Sequence, residues 1–213
     1  MKQKMTLLAF LIGTSLFSQN SKPAETLLNE VYAAAQSYKN ISVDFKYVLE
    51  NDSEDIKQET QGDVIMKGDK YVLNVLGITR LFDGKKLYTI SPEDEEVTVS
   101  SDNSEDENNM TLSKMMSFYK DGYNYNMDIL QNVKGRKIQF VKLTPIDTNA
   151  EVKDIYLGID LNTKHIYKLI EIGINGTKTT LIVNSFKTDE PISETLFTFD
   201  QNKYKDYYIN NLD

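Results

Sequence analysis

From Ile41 to Leu49 apolar and polar residues alternate: Ile41, Val43, Phe45, Tyr47 and Leu49 fall on one face, Ser42, Asp44 and Lys46 on the other. A period of two over this length predicts a strand with one wet side, and so an antiparallel sheet. Further strands are predicted at Lys57–Lys67, Tyr71–Val75, Ile78–Phe82, Lys86–Ile90 and Val97–Ser100, and later at Tyr125–Leu130, Lys137–Thr144, Lys153–Ile159, Ile166–Ile174 and Thr177–Lys187. Gly68-Asp69, Asp83-Gly84 and Asn175-Gly176 supply residues that tolerate φ > 0 and mark hairpin turns. Gly62, inside a predicted strand, suggests a bulge or bend. Phe197 to Phe199 reads as a short last strand after a helical turn at Ser193–Leu196, and no element is assigned from Tyr204 onward.

Two segments break the strand pattern. Ser21-Lys-Pro-Ala opens a helix with Ser21 as cap and Pro23 in the first turn. Leu27, Leu28, Val31, Tyr32, Ala34, Ala35 and Tyr38 then form one apolar face. Between the two groups of strands, Met110–Tyr119 places Leu112, Met115, Met116 and Tyr119 at helical spacing behind the polar stretch Asp102–Asn109. Methionines there suit an adaptable apolar contact, either a plug in the core or a lid over a cavity. About eleven strands joined by short turns exceed what a flat open sheet accommodates. The expected fold is mainly β with flanking helices: a single curved antiparallel meander forming an unclosed barrel, or half-barrel, under a helical lid.

The chain of 213 residues is long enough to bury a core as one domain. Its formal charge of −8 argues against nucleic acid and anionic lipid surfaces, which are bound chiefly through Lys and Arg. The absence of cysteine excludes disulfides, thiolate metal sites, a Cys nucleophile and an acylated N-terminal Cys. Lys2 and Lys4 precede the apolar run Met5–Gly13, with small residues near Ser15 and Ser18. That order reads as a secretory signal peptide over residues 1–18, followed by one domain over 19–213. Cleavage there removes two lysines and takes the charge from −8 to −10.

The chemistry is sparse. The single histidine, His165, sits in a turn and reads as a surface residue. No nucleophile elbow, P-loop, dinucleotide fingerprint or His-Glu-x-x-His is present. Glu93 to Glu96 lacks the alternating ligands and turn glycine of a calcium loop. No catalytic residue, metal or cofactor is expected. Carboxylates that meet only in space remain open as an alternative.

Several short motifs occur in a telling order: Asp44-Phe45 behind the helix Ala24–Tyr38, Gln61-Gly-Asp-Val-Ile-Met-Lys67, Phe82-Asp-Gly-Lys-Lys-Leu-Tyr88, Ser91-Pro92, Val141-Lys-Leu-Thr-Pro145 and Phe197-Thr-Phe199. Over nearly all of the chain past residue 18, this order resembles the outer-membrane lipoprotein carrier family, LolA. The resemblance implies a periplasmic, non-enzymatic chaperone. Such a carrier takes acylated lipoproteins from an inner-membrane ATP-driven (ABC) releasing complex, shields their acyl chains and passes them to an outer-membrane acceptor. The family often places an Arg before a Pro in the turn after the Gln-Gly-Asp strand, where it bonds to the lid. Here that turn reads Met66-Lys-Gly-Asp-Lys70, leaving Lys67 or Lys70 as partial substitutes.

The expected lining of the cavity is Val43, Phe45, Tyr47, Val64, Met66, Tyr71 and Leu73 from the strands, with Leu112, Met115, Met116 and Tyr119 from the lid. A monomer is expected. Two alternatives stand beside the carrier: a binding module for another lipid or glycolipid on the same fold, and a secreted hydrolase with paired carboxylates. The lipid readings require a dry cavity, and the hydrolase a polar cleft holding two close acids.

Overall fold

The alternating segment at Ile41 becomes the central strand of one twelve-stranded sheet. In the computed structural model, which describes residues 21–101 and 117–212, the strands are β1 (Ile41–Asn51), β2 (Ile56–Lys67), β3 (Lys70–Val75), β4 (Ile78–Phe82), β5 (Lys86–Ser91), β6 (Glu96–Ser101), β7 (Tyr123–Val133), β8 (Arg136–Pro145), β9 (Val152–Asp160), β10 (Ile166–Gly173), β11 (Lys178–Thr188) and β12 (Tyr208–Asn211). They lie in the order β12-β6-β5-β4-β3-β2-β1-β11-β10-β9-β8-β7, and the sheet does not close into a barrel.

This order corrects the expectation of a single meander. β1 to β6 step outward in one direction. The chain then passes to the opposite edge and steps back from β7 to β11, so that β11 meets β1. The pair at the middle of the sheet is thus formed by residues far apart in sequence. The unassigned tail supplies β12, which runs parallel to β6. Phe197–Phe199 is not a strand: Glu194–Phe197 is a 3-10 turn capped by the Ser193 side chain. Phe197 is buried on the outer face with Val72 and Leu81, and Phe199 stacks on Tyr88 at 4.4 Å. The C-terminal segment therefore covers the outer face of β3–β6, burying apolar residues that a one-layer sheet would leave wet.

Gly62 stands in regular register opposite Phe45, not in a bulge. Its lack of a side chain has a different reason. A Cβ there would lie 2.5 Å from the tip of the Phe45 ring and 2.8 Å from the Asn74 carbonyl oxygen. The register shift lies instead between β1 and β11, at Asp44/Phe45.

The first helix, α1, spans Lys22–Ser37, with the Ser21 hydroxyl accepting from the Ala24 amide and Pro in the first turn. Its buried face, Ala24, Leu27, Leu28 and Val31, packs on Tyr125, Val141, Leu143, Ile155, Leu157 and Ile159 of β7–β9. No described helix is long and apolar enough to cross a membrane.

Candidate functional site

Sheet register assembles an apolar cavity on the inner face. On β1, Ile41, Val43, Phe45 and Tyr47 point to one side, as a period of two requires. Ile41 pairs with Met66 and Val43 with Val64 on β2; Val64 in turn faces Leu73 on β3. On the other flank, Val43 pairs with Phe186, Phe45 with Val183 and Tyr47 with Leu181 on β11, and Leu181 faces Leu169 on β10. These residues, with Val75, Leu76, Phe118 and Ile166, line a cavity of about 330 Å³. Among the described residues, no charged side chain lines it. Leu76, in the β3–β4 turn, lines it and is 55 % exposed. Leu76 sits at φ 54°, a left-handed conformation that costs a branched side chain about 1–2 kcal/mol and favours glycine or asparagine. The hairpin accounts for it: Val75 pairs with Ile78, and the two-residue turn Leu76-Gly77 needs positive φ at both positions.

Of the residues expected at the site, Val43, Phe45, Tyr47, Val64, Met66 and Leu73 line this cavity. Tyr71 does not. It is buried beside the cavity, 5.8 Å from the Phe82 ring, in the cluster that also takes Ala35 from α1. Tyr119 does not line it either. Its hydroxyl donates to the Leu28 carbonyl of α1 at 2.8 Å, and burial raises its pKa far above the usual phenol value, with a smaller contribution from Tyr32. Phe118, its neighbour, faces the cavity instead. Leu112, Met115 and Met116, and with them most of the expected lid helix, lie outside the described residues.

On the inner face of β7–β9 lies α1, which several contacts hold in place. Besides the bond from Tyr119, Lys120 lies over the Tyr32 ring at 3.3 Å, Glu30 pairs with Lys164 at 2.6 Å, and the Ser21 amide donates to Tyr125. Beyond its C-terminus, Tyr38 places its hydroxyl 3.0 Å from His165 Nε2, and the His165 ring stacks on Phe186 at 3.9 Å. His165 is therefore half-buried against a lining residue, not a free surface group. Burial lowers its pKa, against a smaller opposing pull from Asp160. Lys67 and Lys70 both engage Glu194 on the outer C-terminal segment. That pairing holds Glu194 below the usual carboxylate range.

A polar hollow of about 490 Å³ adjoins the cavity, sharing Val75 and Leu76 with it. Asp44 and Asp63 oppose each other across β1 and β2 within it. Asp63 accepts from the Asn74 amide at 2.9 Å, and Asn74 in turn accepts from Thr79 at 2.7 Å. Among the described residues, no group of three or more His, Cys, Asp or Glu is placed to hold a metal ion.

The lining residues outside the expected set are Ile41, Val75, Leu76, Phe118 and five from β10 and β11. Alternation marks Leu181 and Val183, but the register shift moves the next inward residue to Phe186 instead of Ser185. Nothing in the sequence signals that β11 flanks β1.

Solved structures are similar to this chain at very low identity. An uncharacterized conserved protein from Thermus thermophilus superposes with a TM-score of 0.57 at 9% identity, covering 89% of this chain and 99% of that one. A putative outer membrane lipoprotein-sorting protein domain from Vibrio parahaemolyticus gives 0.44 at 13% identity, covering 85% and 99%. The Mycobacterium tuberculosis lipoprotein LppX gives 0.49 at 14%, covering 81% and 99%. No curated protein matches the sequence. The family model described as outer membrane lipoprotein carrier protein LolA matches residues 36–200, a span that contains β1 to β11 and every described residue of the cavity lining, and the chain belongs to that family.

Proposed function

We propose that the protein is a periplasmic carrier that shields acyl chains of exported lipoproteins in its inner-face cavity during transfer from the inner to the outer membrane. The observation that carries this reading is a cavity whose lining, among the described residues, is apolar and aromatic, in a chain of the LolA family. Burying hydrocarbon yields about 0.8 kcal/mol per methylene. A dry cleft therefore retains a chain that water would drive back to a membrane. Residues 1–18 serve as the export signal in this reading. An inner-membrane releasing complex and an outer-membrane acceptor are the expected partners, and no step on the carrier is catalytic.

The apolar lining equally suits a second reading, a module for another lipid on the same fold. The hydrolase alternative draws on the Asp44/Asp63 pair, yet Asp44 is exposed and Asp63 accepts from an amide. Glycoside hydrolysis needs one carboxyl kept protonated by apolar surroundings.

Expression of the full chain in a cell with a secretory pathway, followed by native mass spectrometry, tests the proposal. Co-purified lipid or lipoprotein, displaced by a fluorescent acyl probe, is the expected result. A clean protein mass with no probe binding refutes it.

A further inference from the structure

The single histidine of the chain joins three parts of the fold beside the cavity. Tyr38, the residue that ends α1, places its hydroxyl 3.0 Å from His165 Nε2. The His165 ring stacks on Phe186 of β11 at 3.9 Å, and Tyr38 meets the same Phe186 ring edge-on at 6.5 Å. Phe186 and Ile166, the residue after the histidine, line the cavity; Tyr38 and His165 do not. The histidine backbone is fixed in its turn, its amide donating to Thr163 Oγ1 and its carbonyl accepting from the Asp160 amide. One titratable ring therefore ties the end of α1 to a residue of the cavity wall.

Charging that ring weakens the tie. A neutral imidazole holds the Tyr38 contact in either sense, as donor or as acceptor. An imidazolium donates from both nitrogens, so Tyr38 stays only as an acceptor and has to turn its own proton away. The charge is also half-buried against the Phe186 ring, and burial is the larger influence on this group, lowering its pKa. The surrounding charges do not offset it. Asp160, at the end of β9, pulls the other way, but its carboxylate already accepts from the Asn162 and Thr163 amides and faces Arg136 of β8 at 3.9 Å. Lys164, in the same turn, is held by Glu30 of α1 at 2.6 Å. Lys39 beside Tyr38 and Lys187 beside Phe186 are exposed. Leaving the stack returns the ring to water and to its ordinary affinity for a proton, so falling pH favours the released form.

We infer that Tyr38, His165 and Phe186 form a pH-sensitive clasp, which holds the end of α1 to the cavity wall while His165 is neutral and frees the Phe186 ring when His165 is protonated. The inference concerns the wall itself and does not depend on what the cavity holds. Its consequence for any apolar occupant is faster exit in mild acid, because a wall residue is no longer held from behind.

Nuclear magnetic resonance on the full chain, titrated from about pH 8 to about pH 5 across the histidine range, follows the two rings without any ligand. A through-space cross-peak between the His165 and Phe186 rings is expected at the alkaline end. It is expected to vanish with the midpoint at which His165 takes up its proton. A cross-peak that persists on the imidazolium overturns the inference, since the ring has then stayed on the Phe186 face, where a cation has an attraction of its own.

Release of Nile red, a neutral apolar dye, reads the wall. Its dissociation rate is expected to rise about threefold or more over the same midpoint. His165→Gln, which cannot take a charge, removes that rise. Tyr38→Phe keeps the ring and deletes the hydroxyl, so its rate at neutral pH is expected to exceed that of the parent; should His165→Gln not fold, this variant carries the comparison. A rise that survives in folded His165→Gln, or a Tyr38→Phe protein with the parent's rate at every pH, places the pH dependence elsewhere and overturns the clasp. A dye that binds at no pH counts against the proposed function, and the cross-peak then decides the clasp alone.

Discussion

Gly62→Ala tests whether backbone packing under Phe45 sets the shape of the cavity. The added methyl group points to the same face as the Phe45 ring, because the two residues pair directly across β1 and β2. It would lie 2.5 Å from one ring atom and 2.6 Å from a second, well inside contact distance, and 2.8 Å from the Asn74 backbone oxygen. The ring can swing away only toward the cavity that it lines. Overpacking of this kind costs about 1–3 kcal/mol, and two separate collisions place this case toward the upper end. Phe45→Leu removes the ring, and as a large-to-small core change it costs about 1–3 kcal/mol by itself. In the double variant the ring collision is gone and only that with Asn74 remains. The two changes therefore couple favourably, by roughly 1 kcal/mol, within the range seen for touching residues. Urea unfolding of the parent, both single variants and the double variant measures this cycle. A second readout is acyl-probe affinity, which falls in Gly62→Ala as the ring enters the cavity. Strict additivity, or a Gly62→Ala variant within about 0.5 kcal/mol of the parent, would refute the close approach as the reason for the glycine.

Tyr119→Phe removes a buried hydroxyl whose acceptor, the Leu28 carbonyl, lies within α1; a loss of about 1 kcal/mol in urea unfolding with unchanged probe affinity is expected, since Tyr119 does not line the cavity. The burial-lowered pKa of His165 predicts a pH-dependent contribution to stability. The unfolded chain binds the proton more readily, so the contribution is complete above the ordinary histidine value of about 6.5 and is lost as pH falls through the lower folded value. His165→Gln flattens that segment of the stability profile, as thermal melts between neutral and mildly acid pH will show, and an unchanged profile contradicts the assignment.

Much of this architecture is legible in the alternation of residues. The inward faces of β1, β2 and β3 follow from it, since Val43, Val64 and Leu73 form one cross-strand row. Other features are not legible, each for a physical reason. The junction of β1 with β11 joins segments separated by most of the chain, and local pattern carries no information about such a pairing. The register shift at that junction puts Phe186 into the cavity, although strict alternation from Val183 selects Ser185. Tyr119 and Phe118 are neighbours in a short 3-10 turn, where helical spacing does not decide which ring faces the cavity and which faces α1. β12 is hidden because Tyr208 to Asn211 has no apolar alternation; its pairing with β6 rests on backbone hydrogen bonds and the stacked aromatics before it.

The inner face divides energetically into two parts. Under α1, Val141, Leu143, Leu157 and Ile159 are completely buried, so the free energy of packing there is already realised in the empty protein. Across the cavity, Leu169, Leu181, Val183 and Phe186 remain half-buried after folding is complete. In the proposed function, that apolar area is what a ligand would cover. A packed half can stay rigid while the other half adapts to its cargo, and neither requirement has to compromise the other.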